Sequence, residues 1–367
     1  MRCCSHEARA TKAHGPPGGS RLDPMIMADT SLSPDTPASA RESRETVEPR
    51  HVAVIVTAFN KAPYIRACLA SVLTQSHPFV ELVVVDDGST DDSCEVVEST
   101  IGGRGATLLR LSNGGVSRAR NLGFEACRIR PDYVMFLDAD DVLLPNALET
   151  MVAHMEANRS TAMCYSVPII IDGAGEVLGV DRDQVRWART TLGRRRMKDT
   201  EVETPLEAIW SHFRAMPSAC LVRRTAYEQT NGWDHLLCRP AQPFQAEDKD
   251  MAIQLALTGP VDRLPSPTLQ YRVLPTPHRQ TLYEGLLAVD RKWWNAPLSA
   301  ADRRKVRRAI RFDSLVVLLD AVLVLRKACR FRSAQNRVAA VRRLIRATIR
   351  WACLPIRLRP TAAPLKE

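Results

Sequence analysis

The chain has no paired-cysteine motif. Its ten cysteines stand singly apart from Cys3 and Cys4, and no C-x-x-C occurs. This argues against a zinc ribbon or a thioredoxin-like redox site. Unpatterned cysteines in a chain of 367 residues do not make a disulfide framework either. Reduced thiols packed mostly in the core are expected. No run reaches the roughly 20 apolar residues that span a bilayer. The longest, SLVVLLDAVLVL at 314–325, is shorter and carries Asp320. The first residues hold no continuous apolar segment of the secretory kind. Two phosphate-binding fingerprints are also missing. No G-x-x-x-x-G-K-[ST] loop occurs, and no G-x-G-x-x-G follows the first strand. Aromatics make up only 5% of the chain and no nucleic-acid-binding motif occurs, so nucleic acid is not an expected partner.

Acidic residues are scarce in one region. From Arg303 onward there are 18 Lys/Arg against 3 Asp/Glu, whereas the whole chain carries +10. The remainder is therefore mildly acidic, and the basic character belongs to the tail. Residues 1–49 are rich in Pro, Ser, Thr and charge without apolar periodicity, and read as a disordered tail.

Order begins at HVAVIVTAFN (51–60), a β-branched run that predicts a buried strand. Ile65, Leu69, Val72 and Leu73 then recur at helical spacing. ELVVVDDGSTDD (81–92) predicts a second buried strand and a turn permitted by Gly88, with Ser89 and Asp92 matching a capping box. ATLLRL is a short strand, and SNGGVSRARNLGFEAC a glycine turn entering a helix. DYVMFLDADD (132–141) is a further buried strand, and Pro145 opens the next helix. Near-continuous apolar strands alternating with helices imply an α/β fold, a parallel sheet covered on both faces. Beyond residue 160 the pattern weakens. MCYSVPIIIDGAGEVLGV predicts a hairpin, 182–204 a polar loop, and AEDKDMAIQLALTG a helix after an acidic cluster.

Ligands bind at the carboxyl ends of the strands in such sheets. Polar residues gather there: Thr57 and Asn60, Asp86 and Asp87, Asn113, then Asp138, Asp140 and Asp141. A helix cap needs one aspartate, which Asp141 could supply, and leaves Asp138 and Asp140 unexplained. Side chains two apart in an extended segment point the same way, so these two carboxylates can converge. A hard divalent cation such as Mg²⁺ or Mn²⁺ would offset their repulsion; a solvated acidic turn is the alternative. A second acidic strand end beside NGG, Arg118 and Arg120 suits a nucleotide, with carboxylates for base and ribose and cations for a diphosphate.

In order along the chain, VAVIVTAFNKAPYIRACLASVLTQ, ELVVVDDGSTDDS, NGGVSRARNLGFEAC and YVMFLDADD resemble the motifs of the family 2 glycosyltransferases. The resemblance is close over 51–160 and continues to about 275. It implies a GT-A fold, a Rossmann-like, mostly parallel sheet with helices on both faces. The expected organisation is a domain at 50–295, with a nucleotide-sugar half (50–160) and an acceptor half (161–295), then a basic helical extension (296–367). The implied donor-binding residues are Thr57, Phe59, Asn60, Asp86, Arg120, Asn121 and Asp138, with Asp86 on the base and Asp138 on the ribose. Asp140 would hold Mg²⁺ or Mn²⁺. NGWD is similar to the family's acceptor-side segment, which would put Trp233 and Asp234 on the acceptor side together with Glu247, and AEDKDM resembles its acidic motif, in which Asp248 would be the catalytic base. The family often has a histidine soon after a Tyr-Arg pair. Here His278 follows Arg272 across two prolines, so its role as a metal ligand stands beside that of a loop histidine.

The implied activity is metal-dependent, inverting transfer of a sugar from a nucleotide-diphospho-sugar, UDP-linked, to a cell-surface glycan or glycolipid precursor. Its alternatives are a non-catalytic nucleotide-sugar binder or scaffold, and a polyprenyl-phosphate sugar transferase. Residues 334–359 show apolar positions at helical spacing with Arg342, Arg343, Arg346 and Arg350 mainly opposite. Such a helix suits an anionic membrane surface, the protein's own acidic body, or water. The expected location is cytoplasmic, with peripheral attachment to the inner face of the cell membrane through this segment.

Overall fold

The computed structural model describes residues 50–180, 216–238, 246–274 and 282–311, with positions 206 and 341. His278, the polar segment 182–204 and nearly all of the basic stretch 334–359 lie outside the described residues.

Strand β1 (Val52–Ala58) is buried along its whole length. It pairs in parallel with β2 (Val80–Asp86) on one side and β4 (Tyr133–Asp138) on the other. β3 (Thr107–Arg110) extends the sheet beyond β2. Across β4 come β9 (Cys220–Arg223), β6 (Met163–Tyr165) and β10 (Val261–Arg263). In this seven-stranded sheet β9 alone runs against its neighbours. The parallel sheet read from the apolar runs is present, with one antiparallel strand inserted from the weakly patterned region.

Period-2 alternation divides the strands between two cores, as pleating requires. Val52, Val54, Val56, Leu82, Val84, Met135 and Leu137 face α1 (Ala62–Leu73), α2 (Ser93–Ile101) and α4 (Ala147–Ala157). Ile55, Val83, Val85, Val134 and Phe136 face the other core, shared with α3 (Val116–Glu125) and α6 (Glu247–Thr258). Helix α3 approaches the sheet closely at Gly123, where a Cβ would lie 2.4 Å from Ile55 Cγ2. Only glycine lets the helix lie this near the strands, and this brings Arg120, one turn earlier, to the rim.

A second sheet is formed by β5 (Val142–Leu143), β11 (Leu269–Arg272), β7 (Ile169–Ile171) and β8 (Val177–Val180), in that order. β7 and β8 form the expected hairpin, while β6 joins the main sheet. A short helix α5 (Arg224–Tyr227) follows β9. Helix α7 (Leu282–Asn295) and helical residues 300–311 come last. Val306, Ala309 and Ile310 are buried in the same core as α6, so the body runs past residue 295.

Two local expectations are corrected. Asp92 occupies the N-cap of α2 without a side-chain cap bond, and the Ser89 hydroxyl instead accepts from Asn60 N at 2.9 Å. Asp141 caps nothing: Asn146 precedes α4, and Asp141 is buried, accepting from Arg272 N at 2.9 Å. Tertiary partners outcompeted local capping in both cases.

Candidate active site

Strand register assembles the rim. Thr57 lies opposite Asp138 across the β1–β4 pair, and Ala58 opposite Asp86 across β1–β2. Residues from three strands therefore end at one level, where the strand order reverses around β1 and a crevice opens. Thr57 Oγ1 sits 3.5 Å from Asp138 Oδ1. Phe59, just beyond β1, is 43% exposed. Asn60 adopts a left-handed backbone (φ 54°), and its Oδ1 accepts from Thr90 N at 2.8 Å. It thus ties the β1–α1 and β2–α2 loops together.

The two aspartates at the end of β2, Asp86 and Asp87, divide their work. Asp87 accepts from Gly114 N at 2.9 Å and Gly115 N at 2.8 Å, which folds the NGG turn onto the strand end. Arg118 secures the same turn through Ser112 O at 3.1 Å. Gly88 (φ 80°) is required between them, since a Cβ there would meet Asn113 N at 2.7 Å. Asp86 accepts from Ser89 N at 3.0 Å through Oδ2, whereas its buried Oδ1 has no hydrogen-bond partner in the protein. A buried acceptor left open in this way suits a ligand N–H.

Asp138 meets Arg120 Nη2 at 3.0 Å, and its backbone N–H donates to Ser218 Oγ at 3.0 Å. Asp140 meets Lys61 Nζ at 2.5 Å. Arg272 fixes the turn between them: its Nε donates to Asp140 O at 2.9 Å, its Nη1 to Asp172 O at 2.8 Å, and its guanidinium lies 4.9 Å from the Tyr64 ring. Burial, then Asp138 and Asp140, push the Asp141 carboxyl well above the usual range.

Asp138 and Asp140 fit a hard divalent cation only as a partial donor set. Among the described residues no cluster of three or more His, Cys, Asp or Glu side chains is placed to hold a metal. Two carboxylates, with water and substrate phosphates completing the shell, are a usual arrangement for Mg²⁺. Lys61 would have to release Asp140 for this to form.

Arg120 is the electrostatic centre. Its side chain is 3% exposed and meets Asp138 at 3.0 Å, Asp248 at 3.0 Å and Glu247 at 3.7 Å. Its guanidinium stacks 4.3 Å from the Trp233 ring centroid. Burial alone would lower its pKa, but Asp138, Asp248 and Glu247 outweigh burial and raise it. Glu247 is 5% exposed with Oε2 unpartnered. Asp248 keeps 39% of its side chain exposed. Crowding by the surrounding protein and the Glu247 carboxylate raise the Asp248 pKa well above the ordinary value, opposed by Arg120. Asp248 is thus a half-open carboxylate whose proton affinity suits a general base better than a free aspartate would.

Asn121 and Asp234 are engaged by the protein itself. Asn121 Nδ2 donates to Trp233 O and its Oδ1 accepts from Trp233 N, both at 2.9 Å; Tyr227 Oη donates to the same Oδ1 at 3.2 Å. Asp234 accepts from Leu236 N and from Lys292 Nζ at 2.8 Å each. The structure brings Thr57, Asp138, Arg120, Trp233, Glu247 and Asp248 into one connected group. Asp86, Phe59 and Asn60 lie along the neighbouring strand ends. Lys61, Ser218, Arg272 and Lys292 escaped the sequence reading. Lys61 directly follows the Phe-Asn pair and Arg272 lies in a Tyr-Arg pair, whereas nothing local marks Ser218 or Lys292.

Residues 53–230 match the family model described as Glycosyl transferase family 2. The chain is 35% identical over 115 residues to the uncharacterized glycosyltransferase YibD of Escherichia coli K12, a match covering 31% of this chain and 33% of that protein. The minor teichoic acid biosynthesis protein GgaA of Bacillus subtilis is 35% identical over 103 residues, covering 27% of this chain and 23% of GgaA. Chondroitin synthase of Escherichia coli is 26% identical over 210 residues, covering 57% of this chain and 27% of the synthase. The chain spans about a third of the length of curated relatives such as YibD. In structure it is similar to S. aureus TarS 1–349 in complex with UDP-GlcNAc, at a TM-score of 0.53 and 18% identity, covering 81% of each chain. That likeness shows the fold, which is GT-A.

Proposed function

We propose, from the match of residues 53–230 to the glycosyl transferase family 2 model, that the chain moves a sugar from a nucleotide-diphospho-sugar, UDP-linked, to a cell-surface glycan or glycolipid precursor, with inversion. One observation carries the reading. A single buried guanidinium, Arg120, holds both Asp138 at the donor strand end and the half-open Asp248 at the start of α6. A carboxylate for the donor and a carboxylate able to accept a proton are thereby held on either side of one site.

In this reading Asp86 Oδ1 receives a base N–H, Asp138 the ribose, and Thr57, Phe59 and Asn60 line the nucleoside. Asp140, once freed from Lys61, would hold Mg²⁺ or Mn²⁺ together with Asp138. When bound, the cation neutralises charge on the departing diphosphate. Asp248 takes the acceptor hydroxyl proton as that oxygen attacks the anomeric carbon, and the bond from carbon to diphosphate oxygen breaks. The protein aligns the two substrates and supplies the base. GgaA and chondroitin synthase support a cell-surface polymer as the acceptor class, and UDP-GlcNAc in TarS supports a UDP-linked donor. No helix among the described residues is long and apolar enough to cross a membrane.

The test is calorimetric titration with UDP-, GDP- and dTDP-linked sugars, with and without Mn²⁺, on wild type and Asp140→Ala. Metal-dependent binding of one donor, lost in the variant, is expected. Asp248→Asn should bind that donor and lose about 10²–10⁴-fold in transfer. Full transfer by Asp248→Asn would instead point to an acceptor that is already anionic, such as a polyprenyl phosphate.

A further inference from the structure

Helix α7 lies outside the family-matched stretch, yet it reaches the acceptor side of the site. Lys292 Nζ meets Asp234 Oδ2 and Asp250 Oδ2, each at 2.8 Å. The neighbouring Trp293 Nε1 donates to Asp250 Oδ1 at 2.8 Å. Asp250 is fully buried one turn into α6, two residues after Asp248. Gln254, one turn further on, donates to Asp250 Oδ2 at 2.9 Å and to Gly232 O at 3.1 Å, and accepts from Asn231 N at 2.8 Å.

These contacts close a ring. Asp248 meets Arg120, Arg120 stacks on Trp233, Asp234 follows Trp233 in the chain, Lys292 joins Asp234 to Asp250, and Asp250 returns to Asp248 through half a turn of helix. Four separate pieces of the chain meet in it: α3, the Asn231–Asp234 turn, α6 and α7. We infer that Lys292 and Trp293 are positioning residues, which lock the turn bearing Trp233 onto the first turn of α6 and so hold Asp248 facing the site. The inference rests on the reading of Asp248 as the base.

Asp234 and Asp250 are two like charges drawn onto one ammonium, and Asp250 has no access to water. Removing Lys292 leaves a buried carboxylate short of a partner and two carboxylates repelling. Parting the turn from α6 relieves this repulsion, opposed by the Gln254 hydrogen bonds and by the packing of Trp233 with Met251 and Ala252 in one core. Parting them moves the backbone that carries Asp248. Misplacement of a catalytic group by about 1 Å costs about 10²-fold in rate. The donor strand ends, held by β1, β2 and β4, are untouched.

Two variants test this: Lys292→Met, and Trp293→Phe, which keeps the ring and deletes one hydrogen bond. Amide hydrogen exchange is read first. Lys292→Met should exchange about tenfold faster at 232–237 and 247–251 and unchanged at 52–58. Transfer, read as nucleoside diphosphate release from a UDP-sugar panel, should fall about 10²-fold in kcat while donor affinity stays within about twofold. Trp293→Phe should give a smaller loss of the same pattern, and Lys292→Arg should restore part of both. Unchanged exchange and kcat in Lys292→Met would overturn the inference. Parallel loss of donor affinity and of protection throughout would also overturn it, in favour of a general scaffold role. Asp248→Asn run in the same assay separates the two readings. Transfer retained there removes the base assignment, while the exchange pattern still decides the clamp.

Discussion

The two sides of the site, which the proposed function assigns to donor and acceptor, are built in different ways. On the donor side, contiguous motifs are carried to one level by parallel strands in register: Thr57 beside Asp138, and Ala58 beside Asp86. The strands set the level of these residues, and Ser218, Lys61 and Arg272 then hold Asp138 and Asp140 from other parts of the chain. On the acceptor side, Asp248 is held by Arg120, 128 residues away in sequence, and its helix is tied to α7 through Lys292 and Asp250. Positioning by register is local and repetitive. Positioning by buried ion pairs is long-range and depends on every partner being present. Arg120 belongs to both systems, since it holds Asp138 and Asp248 with the same guanidinium.

The largest expected effect removes that shared element. Arg120→Met strands Glu247 and Asp248 beside Asp138 without their cation, and should lower unfolding free energy by about 3–5 kcal/mol in urea titration. If stability held, the two halves would be independent and the comparison would fail. Asn121→Ala comes next. It leaves the Trp233 backbone N–H and C=O without their partner, so a loss of about 1–3 kcal/mol is expected. Donor affinity measured by calorimetry should stay unchanged, although the residue stands on a donor-side helix.

A pH profile sharpens the acceptor side. The Asp248 pKa is raised by its protein surroundings and then by Glu247, with Arg120 opposing. A base must be ionised to act, so kcat/KM should fall as pH drops through a value above that of an ordinary aspartate. Glu247→Gln removes a charge that raises this pKa, so the acidic limb should move to lower pH. The smallest effect is on the donor side. Lys61→Met frees Asp140 from an ion pair at the partly exposed rim of the site, worth about 1 kcal/mol. Calorimetry in the presence of UDP should then show Mn²⁺ binding about two- to fivefold more tightly.

The same division explains what could be read from the sequence. The runs VAVIVTA, ELVVVD and YVMFLD gave the strands and their parallel order, because burial on both faces leaves an apolar stretch with no polar interruption. Polar residues directly after such runs gave the rim. The capping box at Ser89 and the cap at Asp141 failed, because each side chain has a better partner far along the chain. Asn121 and Asp234 were expected to face ligands, and their polar atoms are engaged by Trp233 and by Lys292 instead. Strand β9, supplied by the weakly patterned region, gave no sign that it would enter the main sheet against its neighbours.

The sequence by itself determined the sheet, the polar strand ends and the motifs that match the family model over residues 53–230, since periodicity and short motifs are properties of neighbouring residues. Only the tertiary structure decided which aspartates are open and which are engaged. Asp86 and Asp87 are adjacent, yet one carries an unpartnered oxygen and the other clamps two glycine amides. Asp248 and Asp250 share a helical turn, yet one is half open and the other fully buried against α7. The role of a carboxylate follows from the donors that fold against it, and those donors come from distant parts of the chain.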